Sequence, residues 1–110
     1  MKIGNVTLSQ IQLGVVITTL ITAVIHIAIS GSGILMLLNG LGYLALLAAL
    51  YFLPQFKAQR SNIRWVMLGY TAITIILYFV SWGADGFSDV LGMITKVDEV
   101  ALLALLWLDK

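Results

Sequence analysis

The sequence predicts an all-α, integral membrane bundle of four transmembrane helices, arranged as two antiparallel hairpins, and three observations carry that expectation. Of its 110 residues 61% are hydrophobic and 10% are charged, too little charge to cover the surface of a soluble domain. Four apolar runs, over residues 8–30, 34–53, 63–82 and 89–108, approach or exceed the roughly 20 residues that cross about 30 Å of hydrocarbon at about 1.5 Å per residue. Lys2, Lys57, Arg60, Arg64 and Lys110 all fall on one side of this plan, while the connections on the other side hold Asp85 and Asp89 and no basic residue. By the positive-inside rule both termini are cytoplasmic, and the connections at 31–33 and 83–89 lie outside.

Each span has its own punctuation. Thr7 with Gln10 fits a capping box for a first helix beginning near Leu8. Its end, Ala28-Ile29-Ser30 before Gly31, resembles a signal-peptidase site. The apolar run is too long for a signal peptide and only Lys2 precedes it, so the segment is expected to be retained. Gly31-Ser32-Gly33 makes a tight connection, and Pro54 ends the second span because it cannot continue a helix. The polar stretch 55–62 follows as a loop, with Ser61 the expected N-cap of the third span, and Asp89 is placed to cap the fourth. Trp65, Trp107 and Tyr51 near the inner boundary, and Trp82 and Phe87 near the outer one, suit the aromatic belts. One membrane domain, residues 1–110, results.

The fourth span is the unusual one, since it contains Lys96, Asp98 and Glu99. Ionisable groups at membrane depth are costly unless paired or hydrated, which makes them a functional-site expectation. The first span carries a polar stripe of Gln12, Thr19, Thr22, His26 and Ser30, and the third carries Thr71, Thr74, Tyr78 and Ser81, with Asp85 beyond it. The second has Asn39 and Tyr43 one turn apart. Counting turns from the connections puts His26, Asn39, Tyr78, Lys96 and Glu99 within about three turns of the outer boundary, where they form an outward-facing recess above a Leu- and Ala-rich floor. Asp98 lies about 100° around the axis from Glu99, toward another neighbour or a partner subunit.

Three readings of this cluster are open. In the first, it binds a proton, an ion or a small ligand, as a binding site or as part of a transport step. Glu99 is then the group most apt to change charge, because burial penalises its ionised form; the bland counterpart is a structural Lys96–Glu99 ion pair three residues apart. In the second, the chain is a structural or accessory subunit of a larger membrane complex, or a homo-oligomer, with Asp98 at the interface. In the third, His26 is the axial ligand of a haem or chlorophyll-type pigment, with a Met or a second copy's His26 opposite; visible absorbance abolished by His26→Ala would show it. Asn39 has the bland role of helix-to-helix glue, and Gly40, Gly42 and Gly69 that of close packing.

Catalysis is not expected. Without cysteine there is no disulfide, thiolate or iron–sulfur chemistry, and no phosphate loop, nucleophile elbow, zinc helix or nucleic-acid motif is present. Lys57, Arg60 and Arg64 are expected to set topology and to touch anionic headgroups. In length and four-span plan the chain is similar to the small multidrug resistance transporters, whose mechanism rests on a membrane-embedded glutamate in the first helix. Here the first span has no acidic residue and the glutamate is in the fourth, so the likeness is of size, covers no motif and carries over no residue. Four-helix accessory subunits of respiratory and photosynthetic assemblies are similar in outline, again without a motif.

Overall fold

The computed structural model describes residues 2–3, 6–28, 33–83 and 89–109, with the backbone alone at 2, 3, 6 and 82. Ser30, Gly31, Ser32, Asp85, Phe87, Lys110 and the side chains of Lys2 and Trp82, to which the sequence assigned roles, lie outside what is described.

After a minimal antiparallel pairing of β1 (Lys2–Ile3) with β2 (Val6–Thr7), the chain is helical. Helix α1 is Gln10–Ala28, α2 is Ile34–Leu47, α3 is Arg60–Trp82 and α4 is Val90–Leu108. The all-α expectation holds in these four helices. Cross-links between them give their directions. Gln12 meets Asp109, Gly14 faces Leu105 and Thr22 meets Glu99, so α1 and α4 run antiparallel. Arg64 at the start of α3 reaches the end of α4, while Tyr78 near its end covers Gly92 at the start of α4. The terminal end of the bundle therefore holds Gln12, Tyr51, Arg60 and Asp109, and the opposite, distal end holds His26, Met36, Tyr78 and Gly92.

Helix boundaries differ from the sequence expectation where local hydrogen bonds outvote pattern. The capping box is Ser9–Gln12, not Thr7–Gln10. The Ser9 N–H donates to Gln12 Oε1 and the Gln12 N–H to Ser9 Oγ, both at 3.1 Å, so α1 starts two residues later than Leu8. Beyond Leu47 the helix widens into a π-helical turn, Ala48–Phe52, closed by Leu53 N–H to the Ala48 carbonyl at 2.8 Å. Leu53 then turns extended (φ −101°, ψ 108°), as a residue before proline must to avoid its ring.

The stretch expected to be a loop is a 3₁₀ helix, Pro54–Gln59, that runs straight into α3. Proline at a first helical position gives up an N–H that would be unpaired anyway, so Pro54 starts helix as well as ending it, and Ser61 is not a cap. Asp89 occupies the N-cap of α4 without a side-chain bond to its backbone.

Three stretches, Gln10–Ala28, Ile34–Phe52 and Pro54–Ser81, are long and apolar enough to cross a membrane. Helix α4 is long enough but carries three charges. Much of the helix surface is apolar, and much of the interior of the distal half is polar. Every exposed side chain of α4 (Val90, Leu91, Ile94, Val97, Val100, Ala101, Ala104, Trp107, Leu108) is apolar, while Thr19, Thr22, His26, Thr71, Thr95, Lys96 and Glu99 are buried. The apolar core lies toward the terminal end, in Val15, Val16, Leu47, Leu50, Met67, Leu102 and Leu106.

Of the three glycines expected at close contacts, Gly40 and Gly42 are there and Gly69 is not. A Cβ at Gly40 would stand 2.7 Å from Ile27 Cγ1 and 2.9 Å from the Ala23 carbonyl, and one at Gly42 would collide with the Tyr70 hydroxyl. Gly69 has nothing within 4 Å. Gly40→Leu should therefore force α1 and α2 apart at a cost of about 1–3 kcal/mol, whereas Gly69→Ala should stabilise by about 1 kcal/mol through helix propensity alone. Unfolding of both variants in detergent checks this, and equal effects would remove the close-packing argument.

Candidate functional site

The polar groups of the distal half are organised around Glu99, which is 0% exposed. Its Oε2 accepts from the Thr22 hydroxyl at 3.0 Å and from the Tyr43 hydroxyl at 2.9 Å, and its Oε1 pairs with the Lys96 ammonium. Three donors from α1, α2 and α4 satisfy one carboxylate, the arrangement that lets an ionised group persist away from water. Helical spacing makes it possible: Lys96 and Glu99 are one turn apart on α4, and Thr22 and His26 one turn apart on α1.

His26, 5% exposed, sits one turn distal to Thr22. Its Nδ1 lies 2.7 Å from the Thr22 carbonyl oxygen and 3.2 Å from the Thr22 hydroxyl. A carbonyl only accepts, so Nδ1 carries the proton and, in the neutral ring, Nε2 keeps a lone pair. No described residue hydrogen-bonds to Nε2. The imidazole also leans on Tyr43, with ring centroids 6.0 Å apart.

Lys96 is 4% exposed and holds its ammonium 4.9 Å from the centroid of the Tyr78 ring while pairing with Glu99. An ammonium has three N–H donors, and the described residues offer no acceptor to the last of them. It borders a recess of about 640 Å³ together with His26, Asn39, Tyr70, Thr74, Tyr78 and Ser81 and the apolar Leu35, Met36, Leu38, Ile73 and Leu77. The recess exists because α2 and α3 meet closely only near its foot, where Tyr70 fills the space beside Gly42 and donates to the Asn39 carbonyl at 2.7 Å. Distal to that contact the two helices leave a gap. Its mouth is on the flank of the bundle, between the exposed Leu35, Leu38, Ile73 and Leu77.

The structure thus places four of the five residues expected at the site, His26, Asn39, Tyr78 and Lys96, on one recess. Glu99 stands behind Lys96 as its counter-ion, not on the surface of the recess. Thr22 and Tyr43, which hold Glu99, were expected only as stripe and packing residues. Their one-turn spacing to His26 and Asn39 is the signal that ties them to the site. Tyr70 had no sequence signal. Asp98 is half-buried and close enough to feel the Glu99 charge, but it makes no hydrogen bond to this network; its Oδ2 is buried without a hydrogen-bond partner among the described residues, as is the hydroxyl of Thr19. The described residues contain no group of three His, Asp or Glu side chains able to hold a metal ion.

A second polar cluster closes the terminal end. Asp109, 7% exposed, accepts from Gln12 Nε2 at 3.2 Å, the Tyr51 hydroxyl at 2.5 Å and Arg60 Nη2 at 2.6 Å. Arg64 is buried and donates to the carbonyls of Leu106 (2.6 Å) and Trp107 (2.9 Å), capping α4 with a cation at its negative end. Arg60 and Arg64 are therefore internal ties, contrary to the expectation that they reach headgroups; of the three basic residues there only Lys57 is exposed. The sequence held a clue to Asp109, for a carboxylate at a helix C-terminus is unfavourable unless cations answer it.

Comparison with protein-family models, with curated proteins and with solved structures finds no significant match. The functional reading rests on the chain's own residues.

Proposed function

We propose that this chain is a four-span membrane protein, with both termini cytoplasmic, whose recess between α2 and α3 binds a small ligand against Lys96 and His26. The membrane reading is supported by the three long apolar helices and by the wholly apolar exposed face of α4, whose charged pair is buried. A fourth span is then less costly to lipid than its three charges alone imply, because Lys96 and Glu99 meet protein. The orientation is supported by the clustering of Lys57, Arg60 and Arg64 at the terminal end.

The observation that carries the ligand reading is the Lys96 ammonium, buried yet bordering a cavity, beside a histidine, with one ammonium donor and the Nε2 lone pair of His26 unmatched among the described residues. A purely structural ion pair has no reason to adjoin such a cavity. Apolar walls with a few convergent polar groups are the usual make-up of a small-molecule site. Transport would need a second arrangement of the helices; binding needs only the one described.

A chain without cysteine is suited to a direct test. In intact cells Ser81→Cys, at the distal edge of the recess, should react with a membrane-impermeant maleimide, and Ser61→Cys only after lysis. An organic extract of the cells' own membranes should slow labelling of Ser81→Cys several-fold. Labelling of Ser61→Cys from outside would overturn the topology, and no protection of Ser81→Cys by the extract would overturn the ligand reading.

A further inference from the structure

Resting on that reading of the recess, we infer that its ligand is a single-chain amphiphile with a carboxylic acid head, which enters from the lipid through the gap between α2 and α3. The shape comes first. At about 1.5 Å per residue, the residues of α3 that line the recess, Tyr70 to Ser81, cover about 16 Å of the helix axis and those of α2, Leu35 to Asn39, about 6 Å, so one wall is long and the other short. Its mouth is flanked by Leu35, Leu38, Ile73 and Leu77, exposed on the face that meets lipid. An apolar-walled slot open to the side admits a hydrocarbon chain.

The head follows from charge and proton bookkeeping. Glu99 neutralises Lys96 and spends its oxygens on Lys96, Thr22 and Tyr43. With His26 neutral the site therefore has no net charge. A carboxylic acid arriving from lipid is also neutral and fits both remaining groups. Its carbonyl oxygen accepts from Lys96, and its hydroxyl donates to His26 Nε2. Transfer of that proton breaks the acid O–H bond, forms Nε2–H and leaves a carboxylate between an imidazolium and an ammonium, with the total charge unchanged and both hydrogen bonds charge-assisted.

Other heads fail one half of this test. A phosphodiester has no proton to give and adds an unanswered negative charge near Glu99. An amine adds a cation beside Lys96. An alcohol has the proton but is too weak an acid to transfer it. Among the described residues the titratable groups on the recess are His26 of α1, Tyr70 and Tyr78 of α3 and Lys96 of α4, with Tyr43 of α2 and Glu99 and Asp98 of α4 behind them; His26 is the one able to take the proton without losing a partner it has among those residues.

The test uses the full chain in phosphatidylcholine nanodiscs, which keep detergent tails out of the groove, and radiolabelled dodecanoic acid, whose extended chain is about as long as the α3 wall of the recess. Saturable binding of one acid per chain is expected. Unlabelled dodecanoic acid should displace it at least tenfold better than dodecanol, and dodecylamine should not displace it. His26→Asn, whose amide N–H takes the place of Nδ1–H and can still donate to the Thr22 carbonyl but which cannot take the proton, should weaken binding at least tenfold. The double substitution Lys96→Met/Glu99→Gln, which leaves neither charge orphaned, should do the same, and Ile73→Trp should block the groove.

If dodecanol competes as well as the acid while Ile73→Trp still blocks binding, the carboxylic acid head is overturned and the recess reading survives. If none of the three probes binds but membrane extract protects Ser81→Cys, the amphiphile inference falls and the ligand reading stands. If neither occurs, both fall. Binding unaffected by Ile73→Trp would overturn the placement in the groove.

Discussion

Lys96→Met should lower the unfolding free energy by about 3–5 kcal/mol, the range seen when one partner of a buried ion pair is removed and the other charge is left behind. The residue stranded here is Glu99, which has no exposed surface. Thr22 and Tyr43 would still donate to its Oε2, but neither neutralises it. Adding Glu99→Gln should recover most of the loss, because a neutral amide can keep an acceptor for the same two hydroxyls. The measurement is reversible unfolding of both variants in mixed micelles. A single substitution costing under about 1 kcal/mol would mean that the pair is solvated, and that the interior of the bundle is wetter than its burial indicates. Failure of the double variant to recover would instead locate the effect in the lost packing of the lysine stem along the recess.

Asp109→Ala should cost about 3 kcal/mol by a different mechanism. The carboxylate ties α1 through Gln12, the π-helical turn after α2 through Tyr51, and the start of α3 through Arg60, all to the end of α4. Hydrogen bonds to a charged group contribute about 1.5–3 kcal/mol each. They share one acceptor, so their losses do not add. The Arg60 share is the smallest, since its side chain is a third exposed and the pair is partly screened. Arg60→Ala alone should accordingly cost no more than about 1 kcal/mol. Ligand binding at the distal recess should be unchanged in Asp109→Ala, because the two clusters occupy opposite ends of α4. An Asp109→Ala variant as stable as the parent would show that Arg64, capping the Leu106 and Trp107 carbonyls, holds the terminal end by itself.

Composition and period were enough to place the elements. Runs of apolar residues broken at Gly31–Gly33, Pro54 and Gly83–Asp89 leave little choice but four helices, because backbone polar groups in an apolar chain are satisfied most simply by local i to i−4 bonds. The polar stripes on the first and third spans, and the turn holding Lys96 and Glu99, were equally visible, since a helix puts residues three and four apart on one face whatever surrounds it. Counting residues from the connections grouped His26, Asn39, Tyr78 and Lys96, which border one recess.

Pairings between helices are another matter, for they depend on the rotation of each helix about its axis and on which pairs approach closely. Nothing in the one-dimensional pattern chooses Thr22 and Tyr43 as the partners of Glu99, or sends Arg64 inward to cap α4 instead of outward to lipid. The recess itself is a product of packing. Gly40 lets α1 and α2 close on each other, Tyr70 wedges beside Gly42, and the distal halves of α2 and α3 are left apart. The sequence by itself determined that this chain has four apolar helical stretches and a turn on the last of them that holds three charges. Only the tertiary structure decided that the turn faces inward, that Glu99 is shut away behind Lys96, and that Lys96 and His26 border an opening on the flank, because those facts rest on contacts between residues 31 to 77 positions apart.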